Sequence, residues 1–347
     1  MDKKLVLGIE TSCDETALAL VQGREVILSL ISSQAELHAK FGGVIPEIAA
    51  RKHLEVISLL YQDLLSQTGI APKEIDLISV TQGPGLIGAL LVGSSFAKGL
   101  ALSLNKPIMP LNHVHAHVHG ALLGLDKKIS DAELFPALSL VASGGHTNLF
   151  SMKSSVDFEL MAQTIDDACG ESFDKVAKLL GLSYPGGPII EKKAMNGDPK
   201  AIKMPRMMAG KKNLDFSYSG LKTHVYYLLK NEKEITDKRL SDICASFQDN
   251  AFEQMIRRIK QALLLKPETK SILIAGGVSA NKRFRFLLEQ EVDCALYFPA
   301  LDYCSDNAAM VAAYGAALYK NEKTREQYLS SNYNFDVYSR YHQFLEK

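Results

Sequence analysis

Residues 74–111, EIDLISVTQGPGLIGALLVGSSFAKGLALSLNKPIMPL, constrain the fold more than any other stretch. A short apolar run ends in a glycine-rich turn, a long apolar helical pattern follows, and a second buried run closes the segment. Strands joined through a helix lie parallel, so this is a β-α-β crossover and the fold class is α/β. Upstream, residues 4–10, 16–22 and 25–31 read as successive antiparallel strands with short turns. Residues 46–67 read as a helix, with proline at its start and glycine just after its end.

The second half opens in the same way. PALSLVASGGHTNLFSM, residues 136–152, is a strand, a small-residue turn and a returning strand. A helix at 240–264, a strand at 271–275, a helix at 281–290 and a last helix from about 306 to 320 follow. Residues 183–235, rich in Lys, Met, Gly and Pro, read as an irregular insertion that carries specificity. The expected division is an N-terminal lobe of residues 1–112 plus 307–347 and a C-terminal lobe of residues 113–306. Each half begins strand, polar turn, strand. Two such lobes with facing turns predict a central ligand cleft floored by backbone N–H groups, suited to phosphates.

Lysine plus arginine, 39, equals aspartate plus glutamate, 39, so formal charge is zero. A chain that binds nucleic acid alone is usually more basic, so an RNA partner would have to meet a local patch or a shared surface. MPRMMAGKK (204–212) and NKRFRF (281–286) are the candidate patches. The five cysteines, Cys13, Cys169, Cys244, Cys294 and Cys304, form no CxxC pair, which suits a reducing cytoplasm. No apolar run is read as reaching the roughly 18 residues of a membrane span. MDKKLVLGIE leaves no room for a signal peptide, and a cytoplasmic, non-membrane protein is expected.

NHVHAHVHG, residues 112–120, places histidines on alternate positions. On a strand, His113, His115, His117 and His119 would line one face; on a helix they form two i,i+4 pairs. Asn112 follows a strand and is a favoured N-cap, so the helix is preferred. His113 and His117 then form the candidate metal pair beside the strand end. His115 and His119 point about 160° away and read as structural or surface groups. Asp306, in YCSDNAAM, begins another helix and supplies a third ligand. Two histidines and a carboxylate leave coordination positions open and suit iron or zinc. Cys304 belongs in the core.

Several turns carry candidate ligand contacts. In GIETSCDETALAL, Asp14 and Glu15 sit between apolar strands, either as turn formers or within a phosphate loop with Thr11, Ser12 and Thr16. Carboxylates beside a phosphate are costly unless a cation or a proton transfer requires them. In VASGGHT, Gly144 and Gly145 permit close approach and Ser143, His146 and Thr147 offer hydrogen bonds; a plain hairpin turn is the alternative. Gly276, Gly277 and Asn281 mark a strand–helix junction, a pattern common without any ligand. Asp174 and Glu191 are candidate ribose or base ligands near Gly186 and Gly187. Asp166, Asp167 and Glu171 read as a solvated helix face.

Taken together, GIETSCDETALAL, NHVHAH, SGGHT, GESFDKVAKLLGLSYPGGP, FSYSGLKT, GGVSANKRFR and YCSDNAAM resemble one family, from about residue 5 to 325. It is the TsaD family of tRNA threonylcarbamoyladenosine synthesis, formerly called O-sialoglycoprotein endopeptidases. The resemblance implies a two-lobed actin/Hsp70/sugar-kinase-like (ASKHA) fold. It implies metal ligands at His113, His117 and Asp306, with one divalent metal per subunit, iron(II) first and zinc second. It implies a substrate loop at Val141, Ala142, Ser143, Gly144 and Gly145, further ligand contacts at Asp174, Gly187, Glu191 and Asn281, and an acidic catalytic turn at Asp14 and Glu15. The implied reaction moves a threonylcarbamoyl group from threonylcarbamoyl-AMP to the exocyclic amine of the adenosine 3′ of the anticodon, in tRNAs reading codons that begin with adenine. AMP is released. The implied partners are tRNA, a degenerate TsaB-like paralogue and a TsaE-like P-loop ATPase.

An ATPase or sugar kinase of the same fold would use these loops with magnesium, but magnesium prefers oxygen ligands to a histidine pair. A metalloprotease helix would need HExxH, and Val114 follows the first histidine here. A regulatory subunit without chemistry would normally have lost the metal ligands, and this chain keeps them.

Overall fold

The computed structural model describes residues 4–125, 129–208, 213–232, 234–329 and 333–341. It forms two compact units: Met1–Ile129 with Pro299–Lys347, and Ser130–Phe298. The units therefore divide at 129/130 and 298/299, not at the expected 112/113 and 306/307. The reason is packing: the histidine helix lies against the helix after Asp306, which keeps all three candidate metal ligands in the first unit.

The first unit runs β1 (Leu5–Glu10), β2 (Glu15–Gln22), β3 (Glu25–Ser33), α1 (Ala35–Ala39), α2 (Pro46–Thr68), β4 (Leu77–Gly83), α3 (Ile87–Leu104), β5 (Ile108–Asn112) and α4 (His113–Gly120). The second runs α5 (Asp131–Leu134), β6 (Ala137–Ala142), β7 (Thr147–Ser154), β8 (Asp157–Gln163), α6 (Cys169–Leu179), α7 (Gly186–Ala194), α8 (Ser219–Asn231), α9 (Asp237–Leu265), β9 (Ser271–Ala275), α10 (Lys282–Glu291) and β10 (Ala295–Tyr297). The chain then returns to the first unit as α11 (Ala308–Lys320) and α12 (Glu322–Leu329).

The two sheets share one plan. The first has strand order β3-β2-β1-β4-β5, with antiparallel pairs on one side of β1 and parallel pairs on the other. The second has order β10-β9-β6-β7-β8, with β6 in the place of β1. The repeat expected from the paired openings is thus present in topology. Edge strands β8 and β10 carry no such sequence signal: β8 is nowhere continuously buried, and β10 has three residues.

β1 is buried along its whole length, because α11 covers the sheet. Gly8 is what allows this approach: a Cβ there would sit 2.1 Å from the Ala308 carbonyl oxygen. Any side chain at Gly8 would push α11 away and carry Asp306 with it.

Helix α3 corrects one expectation. It is 18 residues long with mean hydropathy 1.6, so by length and composition alone it is long and apolar enough to cross a membrane. Here it is the crossover helix, packed on α2, β4 and β5. The stretch 183–235 is also more regular than expected, since α7 and α8 occupy much of it. Gly-Gly-Pro at 186–188 resembles a helix breaker, but proline in a first turn removes no intrahelical hydrogen bond. Residues 209–212, part of the basic patch 204–212, lie outside the described residues.

Candidate metal centre and donor-binding loops

Helix α4 starts where expected. The Asn112 side-chain oxygen accepts hydrogen bonds from the backbone N–H groups of Val114 at 2.9 Å and His115 at 3.2 Å. This cap fixes the helical phase, so His113 and His117 share a face with ring centroids 4.6 Å apart. Asp306 lies in the turn before α11 rather than in its first turn; Asn307 is the cap and accepts from the Met310 N–H at 2.9 Å. The Asp306 carboxylate sits 3.2 Å from His117 Nε2 and 3.6 Å from His113 Nε2.

These distances fit a shared metal ion. Two ligands each about 2.1 Å from one centre, at roughly tetrahedral angles, lie about 3.4 Å apart. A second observation agrees: both ring nitrogens of His117 are buried and make no hydrogen bond. Neutral buried polar atoms are rarely left so, and a metal ion would satisfy one of them. Among the described residues, His113, His117 and Asp306 form the one such group of potential ligands.

Glu10, which sequence reasoning missed, completes the centre. It ends β1, is fully buried, and its Oε2 lies 3.1 Å from His113 Nδ1. It also accepts from the Ser12 N–H and the Thr81 hydroxyl. The Ser12 hydroxyl lies 3.3 Å from the same His113 nitrogen. The available signal was a lone carboxylate closing an otherwise apolar, buried strand. Burial opposes the charged form of His113, but the Asp306 and Glu10 carboxylates outweigh it and push its pKa up to about 9. Burial, followed by the charges of Asp306 and Asp14, pushes the Glu15 carboxyl up to about 9 as well. The Glu10 and Asp306 carboxylates beside two imidazoles make a set of groups suited to a cation.

Asp14 is buried in the β1–β2 turn, where its carbonyl accepts from the Gln34 N–H at 3.0 Å. Glu15 opens β2 and accepts from the Ser33 hydroxyl at 3.2 Å. His115 and His119 are structural, as the helix geometry implies. The His115 nitrogens lie 3.4 Å from the Tyr314 hydroxyl and 3.1 Å from that of Tyr341; His119 packs at a tilt against Tyr314. Cys304 is buried, as expected.

The second unit gathers the other predicted residues around two junctions. Val141 and Ala142 are buried at the end of β6, and Ser143, Gly144 and Gly145 form the turn beyond it. That turn is held by the Ser143 N–H to the His146 carbonyl at 2.8 Å and by the Gly170 N–H to the Ser143 carbonyl at 3.1 Å. Asp174, on α6, accepts from the Gly186 N–H at 2.7 Å, which ties α6 to the turn carrying Gly187. Glu191 and Asn281 meet at the start of α10. Asn281 caps it through the Phe284 N–H at 3.0 Å, and Glu191 accepts from the Lys282 N–H at 2.7 Å.

The acidic residues at the start of α6 are in part solvated, as expected, with Asp166 exposed, but each has definite partners. Asp166 and Asp167 precede the helix. Asp166 accepts from the Ser217 and Ser219 hydroxyls and from the Tyr218 and Ser219 N–H groups. Asp167 pairs with Lys175 and Lys222, and Glu171 also pairs with Lys175. The patch 281–286 is likewise committed internally: Arg283 grips Asp249, and Arg285 donates to the Ser279 carbonyl.

Repeated sheets of this plan define an ASKHA-type fold, here with a His-His-Asp group whose histidines are buried and whose carboxylate is partly exposed. HypF from T. kodakarensis matches with TM-score 0.57 and 12% identity, over 94% of this chain and 49% of that one. Component A of the (R)-2-hydroxyglutaryl-CoA dehydratase of Acidaminococcus fermentans matches with TM-score 0.55 and 13% identity, over 92% and 100%. These likenesses concern the fold alone. Residues 25–313 match the family model described as TsaD: tRNA N6-adenosine threonylcarbamoyltransferase, and the chain belongs to this family of transferases. Relatives bearing the name tRNA N6-adenosine threonylcarbamoyltransferase include those of Kosmotoga olearia, 46% identical over 88% of this chain and 91% of the relative, and Thermotoga neapolitana, 43% identical over 96% and 99%.

Proposed function

We propose that this chain transfers the threonylcarbamoyl group of threonylcarbamoyl-AMP to the exocyclic amine of the adenosine at position 37, 3′ of the anticodon, in tRNAs reading codons that begin with adenine. The amine nitrogen bonds to the carbamoyl carbon, the bond from that carbon to the phosphate oxygen breaks, AMP leaves, and the amine gives up a proton. The donor is a mixed anhydride and already activated, so no protein nucleophile is needed. Orientation and charge stabilisation suffice.

His113, His117 and Asp306 would hold one divalent ion, iron(II) before zinc given two imidazoles and one carboxylate. When bound, it supplies Lewis acidity toward the acyl group. Ser143–Gly145, Asp174, Gly187, Glu191 and Asn281 hold the adenylate through backbone amides and carboxylates. Asp14 takes the amine proton; Glu15, whose carboxyl is pushed up to about 9, shares that role only where a bound cation restores its ionised form. The convergence of the three ligands, with the His117 nitrogens otherwise unsatisfied, is the observation that supports this reading within the family. A TsaB-like paralogue and a TsaE-like ATPase complete the working system.

The test combines the protein, these partners, ATP, threonylcarbamoyl-AMP and unmodified tRNA, and looks for the modified nucleoside. Asp14→Asn should abolish transfer while metal content and donor binding stay near wild type. Loss of donor binding instead would reassign Asp14 from base to ligand. Absence of modified nucleoside with every component present would overturn the reaction itself.

A further inference from the structure

Helices α6 and α8 pack side by side in the second unit, and a groove of about 410 Å³ runs between them. Lys175 and Lys178 line it from α6, and Lys222, Tyr226 and Tyr227 line it from α8. Resting on the transferase reading above, we propose that this groove binds single-stranded RNA, the anticodon loop of the tRNA substrate.

Charge and aromatic surface occur together here. Tyr226 is 47% exposed and Tyr227 57%, so each leaves about half its surface open to a partner. Their rings stand edge to face with centroids 5.4 Å apart, and exposed aromatic rings of this kind are what unpaired bases stack on. The lysines are placed in advance: one carboxylate, Asp167, holds both Lys175 at 2.5 Å and Lys222 at 3.1 Å. Glu171 holds Lys175 as well, so three ammonium groups face two carboxylates and the patch stays positive. Lys178 is exposed and makes no ion pair among the described residues. It is the group with most to gain from a phosphate.

Two further observations favour RNA over a protein. The chain as a whole is neutral, so an RNA surface must be local, and the arginines of 281–286 are already spent on Asp249 and a carbonyl. The groove also shares helix α6 with Asp174, a proposed donor contact one residue before Lys175. Successive helix residues project about 100° apart, so the groove and the Asp174 contact occupy different faces of the same helix. Two exposed aromatics among lysines form the combination that stacks bases while tracking phosphates.

The experiment uses the full chain with its partner proteins and unmodified tRNA, measuring tRNA affinity by filter binding and KM against kcat for modification. The double variant Tyr226→Ala/Tyr227→Ala should raise Kd and KM for tRNA by roughly tenfold or more, with kcat and melting temperature retained. Tyr226→Phe/Tyr227→Phe should restore affinity, because stacking needs the ring and not the hydroxyl. Lys178→Gln should lower the slope of log K against log salt by about 0.7, one single-strand phosphate contact. Unchanged Kd and KM in the alanine variant would overturn the groove while leaving the reaction standing. A wild-type chain that binds tRNA through these tyrosines yet never modifies it would overturn the reaction and keep the groove. Loss of partner assembly with tRNA affinity intact would make this face a protein contact and overturn the RNA assignment.

Discussion

Glu10 Oε2 lies 3.1 Å from His113 Nδ1, and this buried contact decides which imidazole nitrogen is left for Asp306. With Nδ1 engaged, Nε2 is the atom 3.6 Å from the Asp306 carboxylate. A carboxylate behind a ligating histidine fixes the ring and raises its basicity, and removing such a partner typically lowers metal affinity about 10–100-fold. Glu10→Gln should therefore weaken iron(II) or zinc binding by that range in calorimetric titration, while the Ser12 and Thr81 contacts keep the strand end in place. Wild-type affinity in Glu10→Gln would mean that the ring is oriented by other groups.

The two histidine pairs of α4 should separate cleanly. His117→Ala removes a proposed ligand whose nitrogens make no hydrogen bond, so the purified variant should carry little metal. His119→Ala removes a buried ring packed at a tilt against Tyr314, centroids 4.8 Å apart, so metal content should stay near wild type and stability should fall by about 1–3 kcal/mol. Elemental analysis paired with thermal melts reads both outcomes. A metal-free His119→Ala at full stability would reverse the assignment of the faces.

What the sequence revealed and what it hid have a common physical cause. The crossover at 74–111 was legible because its strands and helix are long and uniformly apolar. The His113/His117 pair was legible because Asn112 fixes the helical phase locally. Glu10 was hidden because its partners, Thr81 and His113, lie 71 and 103 residues away and no spacing links them. The partners of Asp166 were hidden for the same reason: they are the serines of FSYSG, more than 50 residues downstream. The lysine–tyrosine groove exists only once α6 and α8 are set side by side. Local periodicity survives in a sequence, whereas side chains that meet across the fold leave no local trace.

Asp166 gives a pH prediction with a definite sign. Partial burial pushes its carboxyl up, but hydrogen bonds from Ser217, Ser219 and the Tyr218 and Ser219 amides outweigh this and hold it below the ordinary 3.8. The unfolded chain then binds the proton more readily than the folded one. The stability from Asp166 is fully present above about pH 4 and is lost as pH falls through the lower folded value. Asp166→Asn should lower stability at neutral pH by less than the roughly 1–3 kcal/mol of a buried carboxylate, because Asp166 is exposed to screening solvent, and should flatten the acid limb of a melting-temperature profile. An unaltered limb in the variant would show that other carboxylates set acid stability.

Glycines at two turns of the second unit should respond oppositely to a methyl group. At Gly186 an added Cβ would sit 2.7 Å from the Phe173 carbonyl and from the Ala177 side chain, so Gly186→Ala must push α7 off α6. Overpacking of this kind costs about 1–3 kcal/mol, and a lower melting temperature is the expected result. At Gly144 a Cβ meets nothing within 4 Å, so Gly144→Ala should fold with wild-type stability. If the Ser143–Gly145 turn lies against the adenylate, the same methyl would clash with the ligand. AMP affinity should then fall roughly 5–150-fold, the range equivalent to that overpacking cost. Calorimetric titration with AMP beside a thermal melt tests both halves. Wild-type AMP affinity in Gly144→Ala would remove this turn from the donor site.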